Sequence, residues 1–200
     1  MNSTARRIVQ LAERGPVRAG DLAERGWKRG WLRRLTASGD LVRVSRGLYR
    51  AAGAEPTENG ALVEASKRAP TAVIGLLSAL QFHGLTSEAP HEVWILIPAR
   101  GRAPRMDYPR LHIVRASGAA FSHGVETHKL EGVNVRITSP AKTVADCFRY
   151  RDHVGLEIAL EALRAYLARP KRGAAIDALV KACEAGRVLS VVRPYLEVLA

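Results

Sequence analysis

Three polar side chains that could do chemistry recur at helical spacing in the stretch TSPAKTVADCFRYR, residues 138 to 151. Its Ser-Pro pair is typical of a helix start, because the serine oxygen accepts from free amides and proline needs no donor there. At 100° per residue, Lys142, Asp146 and Arg149 share one helix face. On an exposed helix, Lys142 and Asp146 would form a pair worth about 0.3 kcal/mol. The residues alone leave two interpretations open, a solvated salt-bridge face or a functional site.

Other residue types with catalytic or ligating potential form no recognisable motif. The six histidines are scattered without a spacing such as HExxH, and the two cysteines match no metal spacing. The sequence also has no serine elbow, glycine-rich phosphate loop, HRD or DFG pattern. We therefore expect no metal and no required cofactor, and an enzyme is the less favoured class.

Positive charge is concentrated at the start of the chain. The net charge is +12, and residues 1–53 contribute +8 of it with 12 Lys or Arg against 4 acids. So concentrated a field favours a polyanionic partner. Nucleic acid is the leading candidate. An anionic membrane is less favoured, because the sequence predicts no basic amphipathic helix with a bulky apolar face.

The elements that position this charge have the order of a winged helix-turn-helix. Helices are predicted over residues 3–15, 19–26 and 27–39, followed by a hairpin over residues 40–50. The third helix has an apolar face and an opposite face suited to the DNA major groove. The expected DNA-binding residues are Lys28, Arg29, Gly30, Arg33, Arg34 and Thr36 on this helix, with Arg43, Arg46 and Arg50 on the wing. A merely solvated helix or a protein-interaction module is the alternative.

The rest of the chain is predicted to form a mixed domain. Residues 54–60 resemble a linker between a DNA-binding domain over 1–53 and a second domain over 61–200. In the second domain we expect one buried helix over residues 71–85 and a central strand within HEVWILIPA. A basic loop, three further strands and four helices then follow. Because the strands are grouped between helices, the fold class is α+β.

The expected localisation rests on features that the sequence lacks. No apolar run approaches the roughly 20 residues needed to cross a bilayer, and the N-terminus is too polar for a secretory signal. Unpaired cysteines are compatible with a reducing compartment. We expect a cytoplasmic protein.

Three stretches resemble the AbiEi family of abortive-infection antitoxins, from type IV toxin–antitoxin systems. They are GLYR (47–50), SALQFHGLTSEAPHEVWILIP (78–98) and VRITSPAKTVADCFRYRDHVGLEIALEALR (135–164). The resemblance implies a winged helix that represses its own operon at repeated promoter sites, where several copies could associate. It also implies a C-terminal domain that neutralises a nucleotidyltransferase-like toxin, with or without direct contact.

The resemblance leaves the neutralisation route open. Some relatives are proposed to be atypical protein kinases, in which case Lys142 would hold phosphate and Asp146 would hold a metal or act as a base. A non-enzymatic antitoxin surface for toxin or RNA would comprise Lys142, Asp146, Arg149 and Arg151. A purely structural helix start is the third interpretation of this motif. For the whole chain, an adaptor whose basic face binds an acidic protein is a further class.

Overall fold

The computed structural model describes residues 2–54, 57–170 and 172–199, which form two compact units. Unit 1 comprises Met1–Pro70, Pro104–Arg110 and Lys129–Val135, and unit 2 comprises Thr71–Ala103, Leu111–His128 and Arg136–Ala200. Glu55 and Pro56 of the expected linker lie outside the described residues. The domain boundaries expected from the sequence stay a prediction.

Unit 1 contains the predicted three helices and hairpin. Its elements are α1 (Ser3–Glu13), β1 (Val17–Arg18), α2 (Ala19–Ala23), α3 (Gly30–Ala37), β2 (Leu41–Ser45), β3 (Leu48–Ala51) and α4 (Gly60–Arg68). The three strands form an antiparallel sheet in the order β1-β3-β2. The third helix begins three residues later than predicted, and the two-residue β1 is too short for any sequence pattern to reveal.

Local signals explain why unit 1 folds in this way. The Asn2 side chain caps α1 by accepting from the Thr4 amide, and Gly47 occupies the hairpin turn with a φ of 78°. Apolar side chains from the three helices and β2 then form one core, which includes Ala5, Ile8, Ala12, Leu22, Leu32, Leu35 and Leu41. This core fixes which face of α3 stays outside.

Unit 2 is built around a mixed five-stranded sheet. Its elements are β4 (Val73–Ile74), α5 (Leu76–Phe82), β5 (Val93–Pro98), β6 (Leu111–Ala116), α6 (Ala119–Ser122), β7 (Val125–Leu130), β8 (Val133–Thr138), α7 (Pro140–Arg149), α8 (Arg151–Val154), α9 (Leu156–Leu167), α10 (Arg172–Gly186) and α11 (Leu189–Leu199). The strand order is β6-β5-β4-β8-β7, with β5–β6 and β4–β8 parallel and β4–β5 antiparallel. The segment Lys129–Val135, which contains the end of β7, the start of β8 and the turn between them, is assigned to unit 1. The expected α+β class is confirmed.

One expectation about this sheet is wrong, whereas HEVWILIPA does contain an internal strand, β5, which pairs with β4 and β6. The segment 71–85 is not one helix, because Val73 and Ile74 pair with β5 and Gly75 separates them from α5. A Cβ on Gly75 would lie 2.8 Å from a Leu96 methyl carbon, so glycine permits this close approach. Consequently β4 occupies the centre of the sheet, and β5 lies beside it. A two-residue strand before a helix has no periodicity by which it could be predicted.

Helix α7 lies at the centre of the unit 2 core. It packs against α5, α9, α10 and α11, and every residue from 141 to 148 is buried. Among the residues that the structure describes, no helix combines the length and the apolar character needed to span a membrane.

Candidate nucleic-acid interface

A basic groove separates α3 from the β2–β3 hairpin. Its volume is about 620 Å³, and four exposed arginines line it. These are Arg29 and Arg33 at α3 and Arg43 and Arg46 on the hairpin. The structure therefore brings together two sets of residues that the sequence predicted separately. We call this space the wing groove.

A second basic groove borders α3, with a volume of about 500 Å³. Lys28, Trp31 and Arg34 line it, and the Arg34 guanidinium lies 5.1 Å from the centroid of the Trp31 ring. This arrangement is a cation–π contact that holds the arginine on the half-buried indole. We call this second space the helix groove. Gly30 and Arg33 line both the helix groove and the wing groove, and so form the ridge between them.

The amphipathic pattern of α3 produces the ridge. Leu32 and Leu35 are each 3% exposed and anchor one face in the unit 1 core, so the arginines on the opposite face remain in solvent. The Thr36 hydroxyl donates to the Leu32 carbonyl at 2.7 Å, which leaves its oxygen able only to accept from a ligand. Arg43 is held along the hairpin because its Nε donates to the Ser45 carbonyl at 3.3 Å.

The expectation that Arg50 projects from the wing is wrong. Arg50 is 9% exposed, and its Nη2 lies 3.1 Å from the Glu131 Oε2. Side chains two apart in a strand share a face, and in β3 this face carries the buried Leu48. Arginine on this inner face is tolerated because a carboxylate far along the chain is paired with it. Arg50 is therefore unavailable to a phosphate group.

The residues expected at the start of α7 are placed in unit 2. Ser139 caps the helix by accepting from the Lys142 amide at 3.3 Å, and proline occupies the first turn, as predicted. Of the interpretations left open by the sequence, the solvated salt-bridge face is wrong for Lys142 and Asp146, which are 3% and 1% exposed. The pattern of one helix cannot reveal that neighbouring helices cover its polar side as well as its apolar side.

Lys142 and Asp146 form a closed hydrogen-bonded pair. The ammonium donates to both Asp146 carboxylate oxygens, at 2.9 and 2.8 Å, and to the Ala120 carbonyl at 2.7 Å. All three of its donors are therefore used. Burial raises the pKa of Asp146 to about 6, although the charges of Lys142 and Arg149 act in the opposite direction.

The other two residues of the expected antitoxin surface are partly exposed. Arg149 donates through Nη1 to the Gly186 carbonyl and lies 5.6 Å from the Tyr150 ring centroid. Arg151 donates through Nη1 to the Phe148 carbonyl at 3.1 Å. The four residues thus separate into a buried pair and two arginines that are held by backbone carbonyls.

Sequence reasoning missed some residues that build the interface. Tyr49 and Gly47 line the wing groove, whereas the sequence placed both only in the predicted hairpin and in the GLYR stretch of the family resemblance. Glu131 was missed because nothing in its own neighbourhood indicates a pairing 81 positions away. Within residues 2–54, 57–170 and 172–199, no group of three or more His, Cys, Asp or Glu side chains could hold a metal ion.

Comparisons with known proteins bear on the fold and on the first unit. Over 93% of its length, the chain is similar to 78% of the RV2827C protein from Mycobacterium tuberculosis in its crystal structure, with a TM-score of 0.54 and 17% identity. At this identity the similarity shows the fold alone. No curated protein matches the chain. Residues 6–52 match the family model described as transcriptional regulator, AbiEi antitoxin, which confirms the expected resemblance over this segment.

Proposed function

We propose that the protein is an antitoxin that binds repeated sites in its operon promoter and represses transcription. The observation that carries the proposal is the ridge of Gly30 and Arg33 between two basic grooves. An α-helix fits the major groove of B-DNA, which is about 12 Å wide and has a sugar–phosphate backbone on each side. A helix with cations on both flanks has the charge distribution that such docking requires.

The two grooves suggest a division of roles. Arg33 on the ridge would contact base edges, and Gly30 would let the helix backbone approach them closely. Arg43 and Arg46 would hold one phosphate backbone through the wing groove, and Lys28 would hold the other through the helix groove. Phosphate contacts position a protein on DNA, whereas contacts to base edges specify the sequence.

Repeated sites fit the small size of this interface. One module of this kind covers few base pairs, so high affinity normally needs two or more half-sites occupied by several copies. Such a protein would act in the cytoplasm. Neutralisation of a nucleotidyltransferase-like toxin by unit 2, with or without contact, is the second part of the proposal and rests on the family resemblance.

The buried pair does not favour the kinase alternative. All three donors of Lys142 are directed to protein oxygens, so the ammonium could hold a phosphate group only after local opening of α7. The adaptor alternative, in which an acidic protein occupies the basic grooves, makes a different prediction for DNA binding. It predicts equal, weak affinity for all duplex sequences.

The experiment is fluorescence anisotropy of the purified protein with its own upstream DNA and with scrambled DNA, across a salt series. We expect tighter binding to the upstream DNA. Arg33→Ala should cost about 1–3 kcal/mol on the upstream DNA and reduce the difference between the two DNAs. Lys28→Ala should weaken both complexes equally and lower the log–log salt slope by about 1.

Arg6→Ala is the matched control, because it removes an exposed arginine from α1, away from both grooves. It should leave the difference between the two DNAs unchanged. Equal binding of the wild-type protein to upstream and scrambled DNA at every salt concentration would contradict the proposal and favour the adaptor.

A further inference from the structure

Arg50 is a buried cation immediately next to the proposed DNA interface. It follows Tyr49, which lines the wing groove and pairs across the hairpin with Arg43. The Arg50 and Glu131 side chains are only 11% and 16% exposed. The strand that carries the wing is therefore held from its inner face by a carboxylate 81 positions later in the sequence.

Glu131 is itself held in place by several parts of unit 1. Its Oε1 accepts from the Thr57 hydroxyl. Its carbonyl oxygen lies 2.3 Å from where a Cβ on Gly15 would be, so the backbone just after α1 can approach only as glycine. Glu131 is also the first residue of the two-residue turn between β7 and β8, where its φ of 48° and the φ of 74° at Gly132 are the ordinary geometry of a tight hairpin.

A hydrogen bond to Arg50 distinguishes Glu131 from a second carboxylate nearby. A second buried carboxylate, Glu64, interacts electrostatically with both residues, and burial raises the pKa of Glu64. A Cβ on Gly60 would lie 3.2 Å from the Arg50 Nη2, so the start of α4 packs closely against the guanidinium. Loss of the Glu131 charge would replace the charge-assisted hydrogen bond to Arg50 by a weaker one, in a space too tight for the guanidinium to rearrange freely.

We infer that Glu131 is a positioning residue for DNA binding, and that residues 129–135 complete the DNA-binding unit by fixing β3 and the wing. This inference rests on the proposed function. It makes a prediction opposite in sign to simple electrostatics. Removing an acidic residue from a protein that binds a polyanion should raise affinity. If Glu131 positions the wing, its removal lowers affinity instead.

Glu131→Gln is the first test, because it removes the charge and keeps the shape. We expect about tenfold weaker binding to the upstream DNA, from a wing that is no longer held in one position. The log–log salt slope should stay unchanged, because no phosphate contact is lost. Amides of β2 and β3 should exchange hydrogen faster than in the wild-type protein.

Two further variants separate positioning from charge. Glu58→Gln removes an exposed acid of unit 1 and should leave affinity unchanged or slightly higher. The combined variant Arg50→Met, Glu131→Met and Glu64→Gln replaces all three of these charges by neutral groups and should restore slow exchange in the wing and most of the affinity. Unchanged or higher affinity in Glu131→Gln, with unaltered exchange in β2 and β3, would overturn the inference.

The two proposals can fail independently. If the wild-type protein binds neither DNA, the proposed function fails, while hydrogen exchange in the wing still tests the positioning role. If Glu131→Gln does not fold, amide hydrogen exchange of the native wild-type protein at low denaturant concentration serves as the test instead. Amides of β3 and of residues 129–135 should then open together in one step, and separate opening would contradict the inference.

Discussion

The buried pair of Lys142 and Asp146 allows a quantitative test of how α7 is stabilised. Asp146→Ala would leave a buried ammonium with the Ala120 carbonyl as its remaining hydrogen-bond partner in the structure. Removing one partner of a buried pair costs about 3–5 kcal/mol, roughly ten times the value for an exposed pair at this spacing. For a chain of about 200 residues, each kcal/mol corresponds to about 2–4 °C in Tm. We expect the unfolding of unit 2 to shift down by about 6–20 °C.

The assay must follow unit 2, because Lys142 and Asp146 belong to that unit. Trp94 is buried in unit 2, whereas the other two tryptophans, Trp27 and Trp31, belong to unit 1. Replacing these two with Phe leaves Trp94 as the fluorescent reporter during thermal unfolding. Every variant is then compared with the wild-type sequence in this background.

A double variant provides the control for this prediction. Lys142→Met with Asp146→Leu removes both charges and keeps most of the volume, so its Tm should lie close to that of the parent protein. A Tm for Asp146→Ala within about 2 °C of the parent would refute the buried-pair reasoning, and so would a double variant as unstable as the single one. The stable double variant also tests antitoxin activity without the confounding effect of unfolding.

Two further predictions concern a backbone position and a titration. Gly30 has open space where a Cβ would be, so Gly30→Ala should raise Tm slightly. The same change should weaken DNA binding at least about tenfold, because the added methyl group would meet the floor of the DNA groove. An unchanged affinity in the anisotropy assay would contradict a close approach of the helix backbone to the DNA. Because burial raises the pKa of Asp146 from 3.8 to about 6, the folded state binds its proton more readily than the unfolded state. The free energy of unfolding of the wild-type protein relative to Asp146→Asn should therefore decrease as the pH rises from 4 to 6 and stay constant above pH 7. A difference in unfolding free energy that does not change with pH would contradict the raised pKa of Asp146.

The parts of the fold that local sequence determines were predictable. Caps, breakers and periodicity lie within a few residues of the elements they define, so α1, α3 and the hairpin follow from unit 1's own sequence. The grouping of Lys28, Arg29, Arg33 and Arg34 follows in the same way, since α3 carries Arg33 and Arg34, and Lys28 and Arg29 directly precede it. In contrast, β4 exists because β5 and β8 pair with it, and two residues contain no pattern from which this could be inferred.

The burial of charged side chains was not predictable, because burial depends on what packs against them. A helix pattern assigns the Lys142 side of α7 to solvent by default, and only the neighbouring helices reverse this assignment. The error has a direction. Treating Lys142 and Asp146 as an exposed pair underestimates their contribution to the free energy of unfolding. It also implies that a partner could reach their charged atoms, which are in fact buried.

Arg46 and Arg50 show that charge density in a sequence is not the same as charge available to a ligand. Both arginines belong to the same hairpin and add equally to the +8 of residues 1–53. Arg46 is exposed in the wing groove, whereas Arg50 is buried and its charge is balanced by Glu131, which lies outside that segment. A later carboxylate thus converts a candidate DNA contact into a structural one. The candidate interface consequently consists of the arginines that pair with no carboxylate among the described residues, and we infer that the Arg50–Glu131 pair positions the strand that carries the wing.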